Sequence, residues 1–287
     1  MNTIGVQLFS LPFLLEQDFE KAMGLLAAMG YSEIELFGPF PFSALAAKEH
    51  WKAVTPDLGF AGSGYFNLAE DEVVAILKAN QLSVPSIHID LDTAEHKLDE
   101  LAKASESLGF TYITLPMIPE AYRQTLDDYK RMAQRFNVIG EKAQHVGLKF
   151  TYHNHGYGLQ EVSGETPFKL ILEHTDPDLV FFEMDLFWTT AAKADPLYYL
   201  NTYPKRYPLL HIKDMKTKVN FSGDGGNEAQ WIALFPHMTT AGDGVLPLQE
   251  IITIAKQNGT QHFFVEQDMV QQPEIALKRS IDYLKKV

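Results

Sequence analysis

The chain contains no cysteine. That excludes disulfides, thiolate metal ligands and a cysteine nucleophile, and it fits a reducing compartment. Positive charge is scarce as well: 24 Lys and Arg stand against 37 Asp and Glu, a formal net charge of −13. Nucleic acid and anionic membranes both demand a basic face, so neither is expected as a partner. No uncharged apolar run approaches the roughly 18–20 residues needed to span a bilayer. The opening Met-Asn-Thr-Ile-Gly-Val-Gln-Leu-Phe-Ser has no basic start and reads directly as a strand, so no secretory leader is expected. A phosphate-binding turn is missing too. The glycine-rich stretch 222–226 has neither a strand before it nor Lys-Ser/Thr after it, and it reads as a flexible loop. A soluble, cytoplasmic protein is the expectation.

What is present is a repeated unit. Helix-like segments end at a glycine and a strand follows at once: Gly30, Gly109, Gly147 and Gly259 each stand at such a junction. Glycine there suits the left-handed cap that ends many helices, and Asn80 is expected to serve the same way. Pro177 and Pro208 break the chain before two further strands. Asp18, Asp71, and Asp92 or Thr93 read as N-caps. Leu126, Tyr129, Met132, Phe136, Ile139 and Ala143 mark one buried helix face, as do Leu277, Ile281 and Leu284 after Pro273.

Strands are expected over 4–9, 33–37, 83–90, 112–115, 148–153, 180–185, 209–212 and 263–266, each followed by a helix. With 287 residues and 46% hydrophobic content, eight such units point to one α/β domain over 1–287. The architecture expected is a closed TIM (β/α)8 barrel rather than an open doubly wound sheet. Two βα connections, 38–66 and 215–245, are long and rich in aromatic residues. They follow strands two and seven, where they either form lids over a ligand or pack across the barrel mouth.

Four strand ends carry charged or imidazole groups. His153 and His155 lie two apart, so the β-period turns both to one side. Asp185 ends an apolar strand, either as a metal ligand or as the cap of the next helix. His211 lies inside Leu-Leu-His-Ile-Lys, as a ligand or a satisfied core histidine, and Lys213 shares its face. Glu266 and Asp268 likewise share a face. His88 ends strand three, where it either meets a substrate hydroxyl or packs in the core; Trp188 and Asp268 are expected to border the substrate. Carboxylates and imidazoles without thiolates suit Mn²⁺, Mg²⁺, Co²⁺ or Zn²⁺.

Six stretches in order carry a resemblance: Tyr152-His-Asn-His155, Glu183-Met-Asp-Leu-Phe-Trp188, Ala194-Asp-Pro196, Arg206-Tyr-Pro-Leu-Leu-His-Ile-Lys-Asp214, Gly242-Asp-Gly-Val245 and Val265-Glu-Gln-Asp268. Together they resemble the sugar phosphate isomerase/epimerase family of the xylose isomerase-like TIM barrel superfamily, which includes inosose dehydratase and keto-sugar epimerases. The resemblance spans essentially the whole chain. It implies one divalent metal, held by Asp185, His211 and Glu266 together with a ligand from strand five. Many members carry Glu-Asn-His on that strand where this chain has His153-Asn154-His155, so His153 stands in the glutamate's place; His155 and Gln160 are the other options.

The chemistry so implied is isomerisation or epimerisation of a sugar or keto-sugar by proton transfer next to a carbonyl, with a metal-stabilised enediolate. Glu266 or His155 would move the proton and Lys213 would stabilise a substrate oxygen. Dehydration of a keto-inositol or keto-glycoside is the first alternative, and a catalytically decayed sugar-binding barrel the second. A barrel endonuclease and a Schiff-base aldolase are the more distant ones. The partner expected is a small sugar or cyclitol, and homo-oligomer formation stays open.

Overall fold

The alternation read from the sequence becomes a closed parallel sheet. In the computed structural model, which describes residues 3–287, eight barrel strands follow one another in chain order. They are Gly5–Gln7, Glu33–Phe37, Ser83–His88, Tyr112–Leu115, Lys149–His153, Val180–Asp185, Leu209–Ile212 and His262–Val265. Each pairs in parallel with its chain neighbours, and the first closes on the eighth with Gly5 opposite Phe264. Met1 and Asn2, which open the stretch searched for a leader, lie outside the described residues. The expected barrel, a single domain, is the one observed. No helix among the described residues is long and apolar enough to cross a membrane.

Side chains divide between two faces. Val6, Ile34, Leu36, Ile87, Ile113, Phe150, Phe182, Leu210 and Val265 belong to the large apolar cluster between sheet and helices. Burial of each stabilises the fold by roughly 1.5–3 kcal/mol. The other face is polar to an unusual degree for such barrels, whose interiors favour branched apolar residues. Gln7, Glu35, Ser86, Thr114, Thr151, Glu183 and His211 are all at most 1% exposed. Buried polar groups must find partners. Gln7 Nε2 accordingly donates to Glu35 Oε2 at 2.9 Å, and the hydroxyls of Ser86 and Thr114 bond each other at 2.9 Å. Tyr112, Leu209 and Phe264 form a small separate apolar cluster. Gly5 belongs here because a Cβ would lie 2.4 Å from the Phe264 ring.

Helix ends follow the glycine expectation, with φ of 100° at Gly30, 82° at Gly109, 80° at Gly147 and 99° at Gly259. Asn80 departs: its φ is −96°, and the left-handed residue is Gln81 at 55°. Asp18 caps Phe19–Met29 as expected, accepting from Lys21 N at 2.9 Å. Asp90, not Asp92 or Thr93, caps Leu91–His96. Ala69 rather than Asp71 precedes Glu70–Ala79, and Glu72 reaches back to its N–H at 2.8 Å. The cap is whichever residue keeps extended dihedrals last, and several neighbouring acidic or hydroxyl residues compete for that place.

Both long connections carry structure of their own. The first contains the helix Leu45–Leu58, none of whose residues is fully buried. Trp51 on it donates to Ala61 O at 2.8 Å and packs with Phe37 and Phe60. The second contains a short antiparallel pair, Asp214–Met215 with Met238–Thr239, and the helix Glu228–Ile232. The Asp214 carboxylate gathers the N–H groups of Met215, Gly242, Gly244 and Leu246 at 2.8–3.3 Å. A Cβ on Gly244 would lie 2.2 Å from Asp214 Oδ1, so only glycine lets the backbone approach so closely.

Candidate active site

Parallel register brings the four charged strand ends together. Asp185 lies opposite His211, and His153 opposite Glu183, so their side chains are neighbours on the inner face. Donor atoms of Asp185, His211 and Glu266 lie within 4.8 Å of one another. His211 Nδ1 stands 2.8 Å from Glu266 Oε2 and 4.0 Å from Asp185 Oδ2. Asp185 takes the capping role, one of the two readings of the sequence, and leaves its second oxygen facing the site. Its Oδ1 accepts from Trp188 N at 2.8 Å and caps Leu186–Ala191, while Oδ2 is buried without a hydrogen bond.

Lys213 completes this outer group. Its Nζ lies 3.0 Å from Asp185 Oδ2, 2.7 Å from Glu266 Oε2 and 3.0 Å from Asp268 Oδ2. The contact with Asp185 is an ion pair that is not aligned as a hydrogen bond. The ammonium also sits 4.9 Å from the centre of the Trp188 ring. Burial alone would lower the Lys213 pKa, but Asp185, Asp268 and Glu266 raise it well above the ordinary lysine value. It therefore stays a cation, which argues against a Schiff-base nucleophile.

A second group lies on the other side of the His211 ring. Donor atoms of His88, His153, Glu183 and His211 lie within 4.8 Å of one another. His211 Nε2 is 2.7 Å from Glu35 Oε2 and 3.2 Å from Glu183 Oε1. His88 Nε2 bridges the two carboxylates, at 2.8 Å from Glu183 and 3.1 Å from Glu35. His153 joins this inner group through Nδ1, 3.1 Å from Glu183 Oε2. Burial would raise the Glu183 pKa and lower that of His88. Their mutual attraction wins, with Glu183 held down to about 2 beside His211 and His153, and His88 raised to about 9 by Glu35 and Glu183.

His155 stands apart from both groups. Its Nδ1 lies 2.8 Å from the carbonyl oxygen of Pro116. A carbonyl only accepts, so Nδ1 carries the hydrogen and Nε2 keeps the lone pair. The ring is 4.3 Å from that of Trp231 and 5.9 Å from that of Trp188. Burial and the nearby Lys213 charge push its pKa down to about 3, so it is neutral. Gly156 follows because a Cβ there would strike the Phe221 ring at 2.0 Å.

Most of the expected site residues meet, with four differences of placement. His153, expected in one set with Asp185, His211 and Glu266, groups instead with His88, Glu183 and His211. His88 is taken up by Glu35 and Glu183 rather than facing an open cavity through Nε2. Asp268 holds Lys213. Gln160 points to Gly223 O at 3.5 Å and joins neither group. Glu35 and Glu183 were not singled out as site residues, nor was Trp231. The available signal was acidic residues at the β-period inside apolar strands, as in Glu33-Ile-Glu35 and Glu183-Met-Asp185.

The outer group fits a divalent cation. It offers carboxylate oxygens and an imidazole nitrogen with no sulfur. The buried Asp185 Oδ2 accepts no hydrogen bond, its only close cation being the Lys213 ammonium at 3.0 Å. His211 Nδ1 and Glu266 Oε2 share a hydrogen bond of 2.8 Å, whose proton an ion held between them would replace.

Comparison with known proteins places the chain. Inosose dehydratase 2 of Bacillus cereus is 24% identical over 262 residues, covering 88% of this chain and 84% of the relative. A crystal structure of a sugar phosphate isomerase/epimerase from Parabacteroides distasonis superposes with a TM-score of 0.74 at 24% identity, covering 99% and 93% of the two chains. The IOLI protein, solved with a binding zinc atom, superposes with a TM-score of 0.64 at 13% identity over 99% and 95%. The sequence profile of one family, the Xylose isomerase-like TIM barrel, matches residues 23–287. With that match over nearly the whole barrel, the chain belongs to the Xylose isomerase-like TIM barrel family.

Proposed function

We propose that this protein is a metal-dependent isomerase or epimerase of an unphosphorylated sugar or keto-sugar, working by proton transfer next to a carbonyl. The observation that carries the reading is a neutral imidazole, His155, with its Nε2 lone pair left open beside a buried ligand set. Asp185, His211 and Glu266 would hold one divalent cation, with His153 as the fourth ligand. When bound, the cation supplies Lewis-acid stabilisation of the negative charge that develops on the substrate oxygen.

The remaining roles fall to the chain's own groups. His155 Nε2 takes the proton from the carbon beside the carbonyl and becomes an imidazolium. For isomerisation it returns that proton to the adjacent carbon while the hydroxyl on that side passes its own proton to the former carbonyl oxygen. For epimerisation the opposite face would be protonated through Glu266, which is ionised and would draw the proton from the Lys213 ammonium 2.7 Å away. The Lys213 ammonium, held by Asp268, donates to a substrate oxygen. Trp188 and Trp231 flank His155 and suit the C–H face of a sugar while excluding water. Lys213 is shared among three carboxylates, and Arg123 is engaged by Ile118 O and the Tyr157 ring. The three carboxylates offset the Lys213 charge and the Arg123 N–H groups are occupied. Neither is free to clamp a phosphate dianion, which supports an uncharged substrate.

Dehydration of a keto-inositol is the second reading. It is favoured by the matching inosose dehydratase and by the asymmetry of the site, with one open imidazole instead of paired glutamates. His155 would again remove the proton beside the carbonyl. The β C–O bond then breaks, a C=C bond forms, and the hydroxyl leaves as water with a proton from the imidazolium.

Proton NMR in D₂O tests both readings. Protein loaded with Mn²⁺ for turnover is incubated with keto-hexoses and a keto-inositol, and the metal is removed before spectra are recorded. Loss of the signal next to the carbonyl is expected, with an accompanying enone absorbance if water is eliminated. If no substrate shows either exchange or elimination, the reading fails.

A further inference from the structure

Glu35 and Glu183 have no part in the proton transfer described above, yet both are fully buried and each has an Oε1 without a hydrogen bond. Burying a carboxylate costs several kcal/mol unless its surroundings compensate. The polar groups around them are almost all imidazoles. Glu183 Oε2 meets His88 Nε2 at 2.8 Å and His153 Nδ1 at 3.1 Å. Glu35 Oε2 meets His211 Nε2 at 2.7 Å, with Gln7 Nε2 as its other hydrogen-bond donor at 2.9 Å.

We infer that Glu35 and Glu183 are positioning residues that set the tautomers of His211 and His153, and thereby make His153 Nε2 the fourth ligand. This rests on the metal-site reading above. An ionised carboxylate can only accept, so the facing ring nitrogens, His153 Nδ1 and His211 Nε2, carry hydrogen. His153 Nε2 then keeps its lone pair. His211 Nδ1 faces the Glu266 carboxylate at 2.8 Å and carries hydrogen as well in the metal-free protein, so its lone pair is exposed only when an ion takes that proton's place. A ligating imidazole that donates its other N–H to a carboxylate is better oriented and more basic.

Strand five offers an imidazole, and the Glu183 carboxylate stands directly behind it, so a negative charge is held one residue back from the ligand position. His88 ties Glu183 to Glu35 through one nitrogen, so the carboxylates behind both ligand histidines are held as a unit.

Zinc titration against a chelating dye tests this with the wild-type apoprotein, Glu35→Gln, Glu183→Gln and His153→Gln. The wild type is expected to bind one ion per chain. The two glutamine variants at the positioning carboxylates should bind roughly 10–100-fold more weakly, and His153→Gln at least as weakly. Long-range ¹H–¹⁵N spectra of the zinc-loaded wild type read the tautomers without any variant. They should show His153 protonated at Nδ1 and His211 at Nε2, with the His211 Nδ1 hydrogen present only in the apoprotein. Wild-type affinity in Glu35→Gln and Glu183→Gln, a His153 hydrogen on Nε2, or two ions per chain overturns the inference while leaving a metal protein. Absence of zinc binding by the wild type overturns the metal-site reading itself.

Discussion

His155 is held by the carbonyl of Pro116, 2.8 Å from its Nδ1. Pro116 directly follows the fourth barrel strand, Tyr112–Leu115, while His155 lies just past the fifth, Lys149–His153. Two adjacent strand ends thus fix one imidazole with its basic nitrogen free. His155→Gln removes that base and leaves both carboxylate groups intact. It should lower the exchange rate roughly 10²–10⁴-fold while leaving zinc affinity within a few-fold of wild type. Parallel loss of metal would place His155 among the ligands instead.

Asp185 divides its oxygens between the helix Leu186–Ala191 and the site. The two tasks separate by substitution. Asp185→Asn keeps an oxygen for Trp188 N but removes the charge, so metal affinity should fall sharply with little change in thermal stability. Asp185→Ala loses the cap as well, a further cost of about 1 kcal/mol. Metal titration and urea unfolding of both variants distinguish the roles; equal stability in the two would show that the cap contributes nothing.

Fold and site were legible to different depths. The barrel could be read because its signals are local: alternating strands, and glycine at 30, 109, 147 and 259 where the backbone turns left-handed. The caps were less legible because neighbouring candidates such as Asp90 and Asp92 differ only in backbone dihedrals. Among site residues, Asp185, His211 and Glu266 stood out as polar groups at the ends of apolar strands. Glu35 did not, since its meaning depends on His211, 176 positions away. Only the closed barrel makes these two neighbours. That Asp185 caps a helix with one oxygen and turns the other into the site was hidden for another reason: a sequence names the residue, not which oxygen faces which way.

Lys213 lies against the same two oxygens, Asp185 Oδ2 and Glu266 Oε2, that the metal reading assigns to the cation. Without metal, the ammonium balances those charges. Lys213→Met should destabilise the apoprotein by about 3–5 kcal/mol, the usual cost of leaving a buried charge unpaired. The same change removes a repulsive neighbour, so divalent metal should bind more tightly and recover much of the lost stability. Unfolding curves with chelator and with saturating Mn²⁺ measure both effects. A variant as stable as wild type in chelator would mean that the carboxylates are already neutralised by protons.

The inner cluster sets opposite pH limits on stability. Glu183, ordinarily at 4.5, is held to about 2 in the fold. Its contribution is therefore full above 4.5 and is lost as pH falls through 2. His88, ordinarily at 6.5, is raised to about 9 by Glu35 and Glu183 against the opposing effect of burial. That contribution is full below 6.5 and is lost as pH rises through 9. Both are full only between about pH 4.5 and 6.5. Within that window His155, held down to about 3 from an ordinary 6.5, opposes stability as pH falls, because the unfolded chain takes up a proton that the fold refuses. The metal-free protein should therefore be most stable near the upper edge of the window. Urea midpoints recorded with chelator from pH 3 to 10 should decline on both sides of that window. In His88→Gln the alkaline decline should flatten while the acid limb persists. An unchanged alkaline limb in that variant would assign the decline to other groups, and His88 would then be neutral between its two carboxylates.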